Sequence, residues 1–186
     1  MTSFFNNNQV LAVELIPVDA IQFVVGAQLY PLSQVFHSKS IIDKKLMTIA
    51  YKDGNTYKSL SDDTIVNTYD ALIDKSIPSI RLILDADDIS FKSTPEKSVS
   101  GVLYTNKLEY SVPRIDATQM NEFERQLQDI KQGGYHMLIQ LSSCGKAYTI
   151  VLCPEIHAYS ASSQENITST NISINIKNLT AHQYLR

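Results

Sequence analysis

With 186 residues, 44% hydrophobic and 19% charged, the chain suits a single domain with a real core and a quiet surface. Its formal charge of −3, with no window dominated by lysine and arginine, argues against a protein whose main work is holding phosphates. No apolar run reaches the roughly eighteen residues a membrane-spanning helix needs, so no membrane insertion is expected.

The start, "MTSFFNNNQVLAVELIPVDA", lacks a basic segment followed by an unbroken apolar stretch, so no secretory leader is expected. Residues 1–9, with Asn6, Asn7 and Asn8, read as a polar arm that a partner would order. Residues 10–25 read as two strands split by a turn near Pro17-Val18-Asp19. Residues 46–60, "LMTIAYKDGNTYKSL", carry a hairpin signal, with Asp53-Gly54 as the two-residue turn between strand formers. Over 61–75 the period changes: Ile65, Val66, Tyr69, Leu72 and Ile73 follow helical spacing, with Ser61 or Asp62 as cap and Pro78 as stop.

Residues 79–84 predict a short strand. The stretch 85–100, acidic and then basic with Pro95 inside, predicts a long exposed loop or an extended hairpin tip. "VLYTNKLEYSV" returns to strand character, with Leu108, Tyr110 and Val112 on one side. After Pro113, Asp116 and Gln119 form a capping box, and Met120, Phe123, Leu127 and Ile130 mark one apolar stripe of a helix that Gly133-Gly134 ends. The hairpin "YHMLIQLSSCGKAYTIVLC" follows, then Pro154 and a polar linker, "SASSQE".

The closing stretch, "NITSTNISINIKNLT", alternates Ile172, Ile174 and Ile176 against Asn171, Ser173, Asn175 and Lys177. That pattern predicts a half-buried strand. It also contains three glycosylation triplets, at Asn166, Asn171 and Asn178, read here as a by-product of a strand rich in Asn, Ser and Thr. Strands dominate and do not alternate regularly with helices, which disfavours a doubly wound parallel sheet. The expected fold is mainly β (α+β): an antiparallel β-sandwich with one or two helices packed against it, as one domain over 1–186.

Few constellations suggest chemistry. If Cys144-Gly145 is a two-residue turn, paired residues sum to 289 and His136 faces Cys153. A thiol opposite an imidazole is a nucleophilic pair or half a metal site, or simply a cross-strand packing contact. No further ligand stands at a recognisable spacing, and His157 would overhang the pair. The two cysteines would lie over about 20 Å apart along the strand, too far for a disulfide. His37 and His182 are isolated. Asp85, Asp87 and Asp88 lack the glycine and closing glutamate of a calcium loop. "SCGK" places Lys146 after a glycine, without the rest of a phosphate cradle. Tyr51, Lys52, Tyr57 and Lys58 interleave as a stacking platform for single-stranded nucleic acid would, but the same alternation marks a half-exposed hairpin. No catalytic, cofactor-binding or metal residue is therefore assigned.

A strand ending in "LEYSVPRI", a helix of about fifteen residues, Gly-Gly, the hairpin and an alternating closing strand together resemble small structural proteins of tailed bacteriophages. The similarity is to the tail-tube and distal-tail (baseplate) type, notably the isoleucine- and asparagine-rich versions of Bacteroidetes phages, and it covers roughly residues 99–180. It implies a β-sandwich with a flanking helix, assembled as a hexamer or dodecamer ring around the DNA path of a tail, baseplate or head-to-tail connector. It also implies no catalytic residues and no cofactor. The partners would be the chain itself and other virion proteins, without sequence-specific nucleic-acid binding, and the location a virion assembled in the host cytoplasm. An acidic or neutral lumen lets DNA slide, and the net charge agrees.

The final strand has little proline or charge to guard an edge, so strand addition between copies is expected there. The residues expected at the interface are Asp88, Phe91, Lys92, Ile172, Ile174 and Ile176. Two rivals are a monomeric β-sandwich module for carbohydrate or peptide, as in adhesive fibres, and a cysteine enzyme built on His136 and Cys153.

Overall fold

The hairpin strand "YHMLIQL" is buried on both faces, and that double burial organises the fold. The computed structural model describes residues 10–35, 44–82, 89–99, 101–113, 117–141, 148–180 and 182–186. In chain order the strands are β1 (Val10–Pro17), β2 (Ile21–Val25), β3 (Gln28–Pro31), β4 (Leu46–Met47), β5 (Ile49–Asp53), β6 (Thr56–Ser59), β7 (Ala71–Ile73) and β8 (Ile80–Arg81). Then come β9 (Ser90–Ser98), β10 (Gly101–Pro113), β11 (Tyr135–Leu141), β12 (Tyr148–Val151), β13 (Tyr159–Glu165), β14 (Ser169–Asn178) and β15 (Gln183–Leu185). A short helix spans Leu32–Val35 and a long one Ala117–Gln132.

The strands form three sheets: β4-β15-β12-β11-β1-β8, β13-β14-β10-β9 and β3-β2-β7-β5-β6. Pairing is antiparallel except at β15–β4 and β5–β7. The six-stranded sheet is the central layer. From β11, Met137, Ile139 and Leu141 enter a core shared with the four-stranded sheet, while Leu138 enters one shared with the five-stranded sheet. β12 follows the same alternation, with Val151 on one side and Ile150 on the other. A strand with both faces dry reads as a continuous apolar run, as Met137-Leu138-Ile139 does here. The long helix adds Phe123, Leu127 and Ile130 to the first core, as its stripe predicts. The fold is thus mainly β with helices packed against it, a sandwich extended by a third sheet.

Several local expectations change. Residues 61–75 are not a helix. Asp62 Oδ1 accepts from Thr64 N–H at 3.1 Å, Asp63 is left-handed at φ +60°, and the segment crosses over to place β7 between β2 and β5. Side chain-to-backbone bonds of this kind compete directly with a helical turn. The stretch 85–100 is a hairpin arm from residue 90 onward, because β9 pairs along β10 from Ser90↔Glu109 to Ser98↔Gly101. "SASSQE" is not a linker; it lies in β13 and pairs with β14 from Tyr159↔Ile176 to Glu165↔Thr170. The N-terminal arm, Asp116, His37, Lys146, Asp85, Asp87 and the Cys144-Gly145 turn lie outside the described residues.

The turn in the β5–β6 hairpin sits one residue later than expected. Asp53 pairs with Thr56, so Gly54 and Asn55 form the loop and Gly54 takes φ +59°. A Cβ there meets no neighbour within 4 Å, so only the backbone conformation penalises a side chain. Gly54→Ala is expected to cost about 1 kcal/mol, measured as a lowered urea midpoint with unchanged slope.

Candidate assembly surface

The His136–Cys153 pair is not a reactive couple. The observed pairing Met137↔Val151 sums to 288, one less than expected, so His136 stands level with Leu152. The shift puts the two side chains on opposite faces: Cys153 joins the first core, while His136 packs edge-on to Phe23 of the second at 6.4 Å. His136 Nδ1 accepts the backbone N–H of Cys153 at 2.8 Å. The thiol donates to the Glu155 carbonyl at 3.0 Å and is pushed up to about 12 by burial. A nucleophilic thiol needs the reverse, a pKa drawn down by a nearby cation. Among the described residues no group of three or more His, Cys, Asp and Glu side chains could hold a metal.

The Tyr51–Lys58 hairpin is also committed internally. Tyr51 donates to Asp63 Oδ1 at 2.7 Å, Lys58 pairs with Asp53 at 2.6 Å, and Lys75 Nζ lies 3.1 Å from the Tyr51 ring centre. Tyr57 packs on Tyr69 at 5.0 Å. These contacts fit the structural reading of the alternation, since a stacking platform needs free ring faces.

The four-stranded sheet remains. Cross-strand rows through it alternate cleanly. Ala161, Ile174, Leu108 and Phe91 form one row toward the core; Ser160, Asn175, Lys107 and Lys92 form the next, facing away. Ile172, Ile174 and Ile176 are fully buried, as the alternation predicts, and β14 is paired on both sides, by β10 and β13. The expectation that this strand offers a free edge is therefore corrected. Its isoleucines, and Phe91 with them, fill the chain's own core. Lys92 is exposed on β9, and Asp88 lies outside the described residues.

The sheet's edges are instead β9 and β13, and they differ. β9 carries Lys92, Pro95, Glu96 and Lys97, the residue types that discourage pairing. β13 presents the small Ser160, Ala161, Ser162 and Ser163, then Gln164 and Glu165, with no proline or lysine. Tyr159 anchors its start through its hydroxyl, which donates to the Ile130 carbonyl at 2.9 Å near the end of the long helix.

Two further features flank these edges. The β9–β10 hairpin outruns β14, whose last partner is Tyr104. Its tip leaves Val99 fully exposed and Val102 46% exposed. Val99 falls in the stretch expected as an exposed loop or hairpin tip and Val102 opens the strand expected after it; a valine isolated among serines was the available signal. Beyond the start of β13 lies a cleft of about 330 Å³, floored by Leu32 and Pro154 and edged by Val18, Pro31 and the 66% exposed Ile156. Asp19 and Glu155 stand at its mouth, and the His157 ring contacts Glu155.

The outer face of the sheet holds a shallow trough of about 390 Å³ lined by Ser90, Glu109, Ser111, Ser162, Gln164 and Asn171. Tyr110 and Ile172 border it, but their side chains turn into the core. It offers hydroxyls, amides and the Glu109 carboxylate, and among the described residues no aromatic face on which a carbohydrate could stack. No protein-family model, curated protein or solved structure matches the chain.

Proposed function

We propose that this chain is a non-enzymatic structural subunit that closes into a ring through the two edges of its four-stranded sheet, in the tail, baseplate or connector of a tailed phage. The place in a virion follows from the resemblance over residues 99–180. The ring is supported by one observation: among the described residues β9 and β13 each pair on one side alone, and they end the sheet in opposite senses. β9 and β13 run antiparallel to one another across the sheet. Copies set side by side in the same orientation therefore place β9 of one against β13 of the next as an antiparallel pair.

The facing pattern agrees as well. At equal height Phe91 meets Ala161, both turned to the core, and Lys92 meets Ser160, both turned out. A one-residue mismatch would set apolar against polar along the whole seam. Such a contact is heterologous, and a heterologous contact that closes makes a ring. Multi-angle light scattering should give a mass several times 20.9 kDa, and negative-stain microscopy should display annular particles. A uniform species of monomer mass at high concentration overturns the reading.

A further inference from the structure

The side-by-side arrangement fixes what lies at the end of the seam. β9 ends upward at Ser98, level with Gly101, whereas β13 begins at the height of Asn106. Thr94–Ser98 and the tip beyond them thus run past the neighbour's β13. They overhang the end of β13 from which the preceding turn, Pro154–Ala158, departs, and that turn borders the cleft.

The chemistry of tip and cleft is complementary. The tip offers two exposed valines and the exposed Lys97. Glu96 beside it is turned back, accepting from Thr105 at 2.7 Å and lying 4.0 Å from Lys177. The cleft offers a buried apolar floor, the exposed Ile156, and the carboxylates of Asp19 and Glu155. A two-stranded ribbon gains little stability by itself in water. Exposed valines at its end gain nothing for the subunit that carries them, while burial in a partner removes that apolar area from water.

We propose that the β9–β10 tip of one copy, through Val99, Val102 and Lys97, docks in the Val18–Leu32–Pro154–Ile156 cleft of the adjacent copy. The assignment rests on the ring reading above and names its anchoring contact. The tip is the knob, the cleft is the hole, and each subunit supplies one of each.

The test uses the full chain and two kinds of variant. Because both valines are exposed, Val99→Asp with Val102→Asp leaves the fold of the subunit intact, checked by circular dichroism. It should weaken assembly about tenfold or more, as loss of a buried apolar anchor does. Lys97→Glu should weaken it less, and adding Glu155→Lys should restore it. Separately, Val102→Cys protein mixed with Ile156→Cys protein should form a disulfide-linked dimer under mild oxidation, and neither alone should. If the wild type assembles and the double aspartate variant assembles equally well, or the mixture does not cross-link, the docking assignment is overturned while the ring stands. If the wild type stays a monomer, the ring reading and this contact fall together.

Discussion

Ile174→Ala is expected to lower the unfolding free energy by about 3 kcal/mol, whereas Ser173→Ala, one residue away, changes it by less than about 0.5 kcal/mol. Ile174 is wholly buried between Ala161 and Leu108 in the first core. Removing three carbons there loses transfer energy and leaves a cavity that paired strands on both sides cannot close. Ser173 belongs to the outward row, between Ser162 and Glu109, where water replaces what is removed. Urea unfolding of the two variants checks the contrast. Equal losses would mean that the two faces of β14 are not distinguished as described.

Acid should weaken the fold through His136. This imidazole is entirely buried, and burial lowers its pKa from 6.5 to about 4. Between those values the unfolded chain binds a proton that the folded chain refuses, so stability falls as pH drops from about 6.5 toward 4. The loss over that window is about 3 kcal/mol. Protonation also ends the acceptor role of Nδ1 toward the Cys153 N–H. Burial shifts His182 in the same direction. His136→Leu removes the titrating group and flattens the stability profile between pH 4 and 7. It also leaves the Cys153 N–H without its acceptor, so the variant is weaker overall. The slope against pH is the discriminating readout, and an unchanged slope in the variant would show that His136 does not carry the effect.

Much of the local structure was legible because it depends on near neighbours in sequence. Pro17 and Asp19 mark the break between β1 and β2, and the Phe123–Leu127–Ile130 stripe marks the face of the long helix that joins the core. The isoleucines of β14 announce their burial by parity alone. What failed depends on distant partners. "SASSQE" has weak strand propensity, yet β14 offers it a full ladder of backbone bonds, and pairing context overrides propensity. Ile65, Val66 and Tyr69 are spaced as in a helix, but Ile65 ends 66% exposed in a crossover whose destination is a slot between β2 and β5.

The candidate site failed for a sharper version of the same reason. A one-residue error in the β11–β12 register turned two opposite-facing side chains into a supposed pair. Whether β14 is an edge or a centre is set by β13, which the sequence disguises. The surface features that remain, β13 and the Val99–Val102 tip, are recognisable only once it is known which strands already have neighbours.

The central layer has a consequence for how the polypeptide acquires its shape. The five-stranded sheet draws only on residues 21–73 and the four-stranded sheet on 90–178, whereas the layer between them joins β1 to β15 at residues 183–185. During synthesis the outer layers can therefore pair while the middle one waits for the last of these residues to leave the ribosome. Closure over so long a sequence separation is slow. Until it happens, Phe23, Ile49 and Ile73 of one nascent layer and Ile172 and Ile174 of another face water, and this interval is when a chaperone matters most.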